Sequence, residues 1–237
     1  MSSYRLQRLP VWLRAGRLLA FAAPLLFAAC GGGGGGGDPA NPNRYDLDAA
    51  VTRAYATGAS FTGLSATAPN GVVMTLALSF AKGADAAFEG AQRKVSLQTI
   101  SLSAPGVATE TTGATVYYGT NPFRAYGSID DVGTYSVATS TGNLPTAARV
   151  GDAGPLSTEV YYANAGKSTV TMNATSTWEV QDDGTASNAW ACSKTVAREV
   201  GSNSDLTQTM CLRINTAGDV LGAKFMMTLP TGTLEFR

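Results

Sequence analysis

Val170-Thr171-Met172-Asn173-Ala174-Thr175-Ser176-Thr177-Trp178-Glu179-Val180 is the longest unbroken alternation in the chain. Successive strand residues point to opposite faces. Val170, Met172, Ala174, Ser176, Trp178 and Val180 therefore share one side, and the more polar residues share the other. Asp182-Asp183-Gly184-Thr185 follows as a hairpin-type turn. A half-buried strand ending in a tight turn is the unit of an antiparallel sheet, and the rest of the chain repeats it.

Upstream, Leu156, Thr158, Val160 and Tyr162 alternate in the same way, as do Val72, Met74, Leu76, Leu78 and Phe80 after the turn Ala68-Pro69-Asn70-Gly71. Val95 to Ser103 reads as a strand whose apolar phase shifts between Leu97 and Ile100, which predicts a bulge. Val107 to Tyr118 and Thr134 to Thr139 read as strands flanking an irregular Gly119 to Gly133, and a further loop runs from Leu144-Pro145 to Gly154-Pro155. Downstream, residues 188–198, 207–214, 220–229 and 233–236 form a meander with turns at Asn215–Asp219 and Pro230–Gly232. Tyr45 to Thr57 alone has helical spacing, with Leu47, Val51, Ala54 and Tyr55 on one face and Gly58 as a stop. The expected fold is all-β: an antiparallel β-sandwich or open barrel with one short N-terminal helix, in a single domain over 45–237.

Cys192 and Cys211 lie symmetrically about Gly201-Ser202, as two opposed residues of one hairpin would, and they predict a disulfide. Cys211 shares its strand face with Thr209 and Arg213, so the bridge is expected on the wetter side. Val-Tyr-Tyr occurs at 116–118 and again at 160–162, too short an echo to establish a repeat.

The chain has no histidine, which excludes Ser-His-Asp and Cys-His nucleophile systems and His-containing zinc sites. No GxSxG, SxxK or phosphate-cradling loop is present. Two acidic pairs, Asp130-Asp131 and Asp182-Asp183, are the candidates for paired carboxylates or a Ca²⁺ site, although turn chemistry accounts for both more simply. Tyr117, Tyr118, Tyr161, Tyr162, Trp178 and Trp190 are the candidates for lining a pocket for a small apolar or sugar ligand. The irregular segment carrying Phe123, Arg124, Tyr126, Asp130 and Asp131 is the best candidate binding loop. No catalytic residue, metal or cofactor is expected.

The start of the chain carries a different kind of signal. Arg5, Arg8, Arg14 and Arg17 precede an uncharged stretch from Leu18 to Ala29, then Cys30 and seven glycines, Gly31 to Gly37. As a helix that stretch rises about 18 Å, short of the roughly 30 Å hydrocarbon core, so it reads as a secretory signal over 1–29. Leu25-Leu26-Phe27-Ala28-Ala29-Cys30 resembles the lipobox of bacterial lipoproteins, with Phe27 at the usual Leu/Val position. The resemblance implies acylation of Cys30, and Gly31 in place of Asp implies the outer membrane. Residues 30–44 then form a Gly-rich tether. Loss of the four arginines with the signal leaves 13 basic against 17 acidic residues, a net charge of −4 that disfavours nucleic acid as a partner. The expected function is a lipid-anchored cell-envelope protein with a non-enzymatic binding or structural role, whose partner is an envelope protein or a small ligand. A carboxylate-dependent envelope hydrolase is the alternative.

Overall fold

The computed structural model describes residues 42–229 and 232–237. One helix, α1 (Leu47–Thr57), precedes thirteen strands: β1 (Ala59–Thr67), β2 (Val73–Lys82), β3 (Ala86–Phe88), β4 (Ala91–Ser103), β5 (Glu110–Gly119), β6 (Arg124–Asp130), β7 (Tyr135–Thr141), β8 (Ala153–Tyr162), β9 (Val170–Asp182), β10 (Asn188–Glu199), β11 (Asp205–Asn215), β12 (Val220–Leu229) and β13 (Gly232–Phe236). All strand pairs are antiparallel, in the order β1-β2-β4-β5-β6-β7-β8-β9-β10-β11-β12-β13, with β3 paired only to β4. The sheet curls until its ends meet, where Ser65 and Arg237 exchange two backbone hydrogen bonds of 2.9 and 3.2 Å. The fold is thus all-β, and of the two expected architectures it is the barrel, nearly closed. Closure removes the exposed edges that an open sheet must protect.

Barrel width grows with strand number, and side chains alone fill an interior of about eight strands. Twelve strands leave more room, and α1 fills it at one end. Asp46 caps the helix, its carboxylate accepting from the Ala49 amide at 2.8 Å, and Gly58 ends it at φ +88°. Leu47, Ala50, Ala54 and Tyr55 are buried against inward-facing Leu76, Leu78, Phe80, Val116 and Tyr118. Burying Leu47 or Tyr55 contributes about 1.5–3 kcal/mol each.

The up-and-down order puts successive turns at alternate ends. Turns β5–β6, β7–β8, β9–β10 and β11–β12 surround α1, and this is the helix end. Turns β1–β2, β4–β5, β6–β7, β8–β9, β10–β11 and β12–β13 lie at the far end. The outer wall is rich in Thr and Ser, which bond across strands: Thr75 to Ser103 at 2.7 Å, Ser101 to Thr111 at 2.9 Å, and Ser140 to Thr158 at 2.9 Å. A membrane-spanning barrel has the reverse pattern, apolar outward and polar within.

Three local expectations are corrected. The segment 119–133 is not irregular throughout: β6 occupies Arg124–Asp130, paired to both β5 and β7. The expected bulge between Leu97 and Ile100 is absent. β4 pairs in unbroken register with β2 and β5 there, because Ser96 and Gln98 face inward while Leu97 is exposed. In β8 the buried set is Ser157, Glu159 and Tyr161, while Leu156, Thr158, Val160 and Tyr162 are only partly buried. The cause is a register shift between Pro155 and Ser157, which flips the phase of everything after it.

A flap completes the fold. β3 and the start of β4 fold over the outer wall, where Phe88 stacks on Tyr117 at 4.2 Å and on Tyr135 at 5.2 Å. At its tip Glu89 accepts from the Tyr135 hydroxyl at 2.6 Å and pairs with Lys167 at 2.7 Å. These two donors, Lys167 first, hold the Glu89 carboxyl below its ordinary pKa.

Candidate functional site

Four loops hold the helix end. Asn43 donates to the Ala186 carbonyl at 2.6 Å in turn β9–β10, and Tyr45 bridges Ala148 in turn β7–β8. Asp48 accepts from the Phe123 amide at 2.6 Å in turn β5–β6, and Arg53 pairs with Asp219 in turn β11–β12. The first described residues, with their side-chain and backbone bonds, are therefore fixed to the same end as α1. Beneath the helix lies a cavity of about 40 Å³ with mostly apolar walls. Val51 and Tyr55 line it from the helix, Leu156 and Trp178 from β8 and β9, and Met210 and Leu212 from β11. Trp178 reaches inward because its neighbour across the β8–β9 pairing is Gly154, where a Cβ would sit 2.8 Å from the indole.

The structure separates the two acidic pairs. Asp130-Asp131 ends β6 at the far end, and Asp182-Asp183 ends β9 at the helix end. Each carboxylate serves its own turn or a neighbour. Asp130 accepts from the Val132 and Thr134 amides at 3.1 and 2.7 Å, and Asp131 from the Gly113 amide at 3.0 Å. Asp182 accepts from the Gly184 amide at 3.0 Å. Asp183 accepts from the Thr185 amide at 2.9 Å and from Arg213 at 2.7 Å. Burial alone would raise the Asp183 pKa, but the Thr185 and Arg213 hydrogen bonds outweigh it and hold it below its ordinary value. Two carboxylate pairs at opposite ends of a barrel cannot act on one bond.

The candidate binding loop is likewise spread along β6. Phe123 is buried at the helix end against Tyr55 and Tyr118, with ring centroids at 4.9 and 5.6 Å. Arg124 donates to Asn143 at 3.0 Å, and Tyr126 lies under the Arg93 guanidinium at 3.6 Å. Asp130 and Asp131 stand at the other end of the strand. The six aromatics divide as well. Tyr118, Tyr161 and Trp178 face inward, whereas Tyr117, Tyr162 and Trp190 face the outer wall. The two Val-Tyr-Tyr segments differ in which tyrosine points in, so they are not equivalent repeats.

Cys192 and Cys211 are directly opposed in the β10–β11 ladder and disulfide-bonded, with Cα atoms 4.0 Å apart. They lie on the outer wall beside Thr209 and Arg213, yet both are buried. Long neighbours cover that part of the wall: the Lys224 ammonium lies 4.9 Å from the Trp190 ring and donates to Gln181 at 2.8 Å. Cys30 lies outside the described residues.

The interior holds a group that pattern reading does not pick out. Glu159 is 1% exposed, and neither carboxylate oxygen completes a hydrogen bond. Burial pushes its pKa up to about 8, with the hydroxyls of Tyr161 and Ser136 opposing the shift. Tyr55, 100% buried, is pushed up to about 12, first by burial and then by the field of Glu159, against a hydrogen bond with Gln98. The signal in the sequence was the Gly154-Pro155 pair, a site for a bulge that would swap the faces of β8. Among the described residues no group of three metal-ligating side chains occurs, and no helix is long and apolar enough to cross a membrane.

The far end differs from the rest of the surface. Val73, Val107, Val132, Val170 and Val200 are 51, 37, 62, 39 and 62% exposed, and each lies in or beside a different one of five far-end turns. Apolar side chains scattered singly are ordinary on a protein surface, but five on one rim form a pattern. Comparison with protein-family models, curated proteins and solved structures finds no match.

Proposed function

We propose that the chain is a lipid-anchored protein of the bacterial cell envelope with a non-enzymatic binding role. It would be tethered at the helix end and engage an envelope protein through its far end. The observation that carries this reading is the opposition of the two ends. The chain enters at Asn43 and Tyr45, both fixed to helix-end loops, and the valine rim lies at the other end of the barrel. Cys30 stands only twelve residues before Pro42, so an acylated Cys30 would hold the helix end toward the membrane. The rim then faces away from that bilayer, which favours a protein occupant with an apolar surface over lipid. The flanking Glu110 and Asp131 favour basic residues around that surface.

The separation of the two acidic pairs, each engaged in turn hydrogen bonds, leaves the hydrolase reading without a supporting observation. Intact mass of the detergent-extracted protein tests the anchor. A mass for acylated Cys30 as first residue, with Cys30→Ser moving the chain to the soluble fraction, supports it. An unmodified N-terminus elsewhere, or a variant still in the membrane fraction, rejects it.

A further inference from the structure

The flap is held by its tip and not by the sheet. β3 pairs only with β4, and β4 joins β5 only from Lys94 onward, so lifting residues 86–93 breaks no ladder bond of the barrel. Beneath it the wall is already continuous, with Tyr117 paired to Gly127 and Gly127 to Val137. What the flap fills is a slot. Gly127 leaves one outward position on β6 without a side chain, between Tyr117 on β5 and Tyr135 on β7. The Phe88 ring lies there, 3% exposed, its centroid 4.2 Å from Tyr117 and 5.2 Å from Tyr135, stacked at 14° and 26°. Those separations together match two strand spacings of about 4.8 Å, so the ring is sandwiched between tyrosines two strands apart. A Cβ on Gly127 would come 2.8 Å from it.

The next residue supplies a latch. Glu89 accepts from the Tyr135 hydroxyl at 2.6 Å and pairs with Lys167 at 2.7 Å, through side chains 32 and 39% exposed. Both latch residues have left-handed backbone, Glu89 at φ +48° and Lys167 at φ +54°. Among the described residues one other non-glycine residue has a positive φ, Asn121, a residue type that tolerates it. Strain of this kind persists where neighbours impose it, and it gathers at clamps and switches. The hairpin itself, with three pairs between β3 and β4, adds little stability of its own.

We infer that the flap is an intramolecular stand-in for a ligand, and that the slot takes an extended partner peptide with an aromatic residue followed by an acidic one. The ring enters between Tyr117 and Tyr135, and the carboxylate meets Lys167 and the Tyr135 hydroxyl, as Phe88 and Glu89 do in the closed flap. Stacking selects the ring, and the charge-assisted hydrogen bonds select the acid beside it. The site lies on the side wall, and the inference stands whether or not the reading of tether and rim holds.

The test uses the full chain and a fluorescent peptide with the flap's own sequence, Ala-Ala-Phe-Glu-Gly-Ala, followed by anisotropy. Phe88→Ala empties the slot, and Glu89→Gln loosens the latch at an exposed turn. The expected result is saturable binding, at least about tenfold tighter to Phe88→Ala than to wild type. Replacing Phe or Glu in the peptide by Ala should weaken it by a similar factor, and so should adding Lys167→Met to Phe88→Ala. Glu89→Gln should also bind more tightly than wild type, which keeps the test in force if Phe88→Ala fails to fold. No saturable binding to either variant overturns the inference. Equal affinity for variants and wild type, or for the Phe and Ala peptides, does so too, because the flap is then a fixed cover.

Discussion

Replacing Glu159 by Gln should stabilise the barrel at neutral and alkaline pH and leave it nearly unchanged at pH 4.5. In the folded chain burial holds the carboxyl protonated up to about pH 8, whereas in the unfolded chain it ionises near its ordinary value of 4.5. Below pH 4.5 both states are protonated and the group has no differential effect. Between 4.5 and 8 the unfolded state is favoured by ionisation, so stability falls by about 1.4 kcal/mol for each pH unit. The accumulated loss is roughly 3 kcal/mol at pH 7 and approaches 5 kcal/mol near pH 8. Gln is nearly isosteric, cannot ionise, and should abolish that slope. Urea unfolding of wild type and Glu159→Gln at pH 4.5, 5.5, 7 and 8.5, without reductant, measures the difference directly. Other titrating groups cancel between the two proteins. Two parallel stability profiles would refute the reasoning, because they would mean that Glu159 is hydrated and ionised in the folded barrel.

Gly127 adopts φ +147°, and a Cβ there would lie 2.1 Å from the Ser136 carbonyl and 2.8 Å from the Phe88 ring. Gly127→Ala should therefore cost at least about 3 kcal/mol and lift the flap, measured as a lowered urea midpoint and greater exposure of Phe88 to protease. Gly154→Ala should push the Trp178 indole out of its place, costing about 1–3 kcal/mol and red-shifting the tryptophan emission. Cys192→Ser with Cys211→Ser opens a loop of 19-residue separation and should lower stability by about 3 kcal/mol, read by thermal melts with and without reductant. Asp183→Asn removes a charge-assisted partner of Arg213 and should cost about 1.5–3 kcal/mol above pH 4. The deficit should shrink as acid protonates the wild-type carboxylate through its depressed pKa.

The parts of the fold that were legible in the sequence are those in which one strand face is mostly apolar. β2 and β9 read correctly because Leu76, Leu78 and Phe80, and Met172, Ala174 and Trp178, are the inward set as well as the apolar one. Asp46, Leu47, Tyr55 and Gly58 marked the helix, and the symmetry of Cys192 and Cys211 about their turn marked the disulfide. Elsewhere the barrel interior is polar, and alternation misleads. Ser96 and Gln98 in β4, and Ser157 and Glu159 in β8, look like outward positions until closure puts them inside. β6 was hidden because its inward residues, Ala125, Ser128 and Asp130, have little strand character of their own and are held by neighbours on both sides. The valine rim is a property of the closed shape. Val73, Val107, Val132, Val170 and Val200 are far apart in sequence, and only the alternation of turns brings them to one end.

The opposition of tether and rim is tested most directly by photo-cross-linking in intact cells that make the full lipidated chain. A cross-linking residue replaces Val132 or Val200 on the rim, and Leu221, also an exposed apolar residue but near the helix end, in a control. The expected result is one discrete protein adduct from both rim positions, absent from Leu221 and lost when Val107→Asp is added. Adducts of the same size from all three positions, adducts to lipid, or no rim adduct would contradict a far-end binding surface.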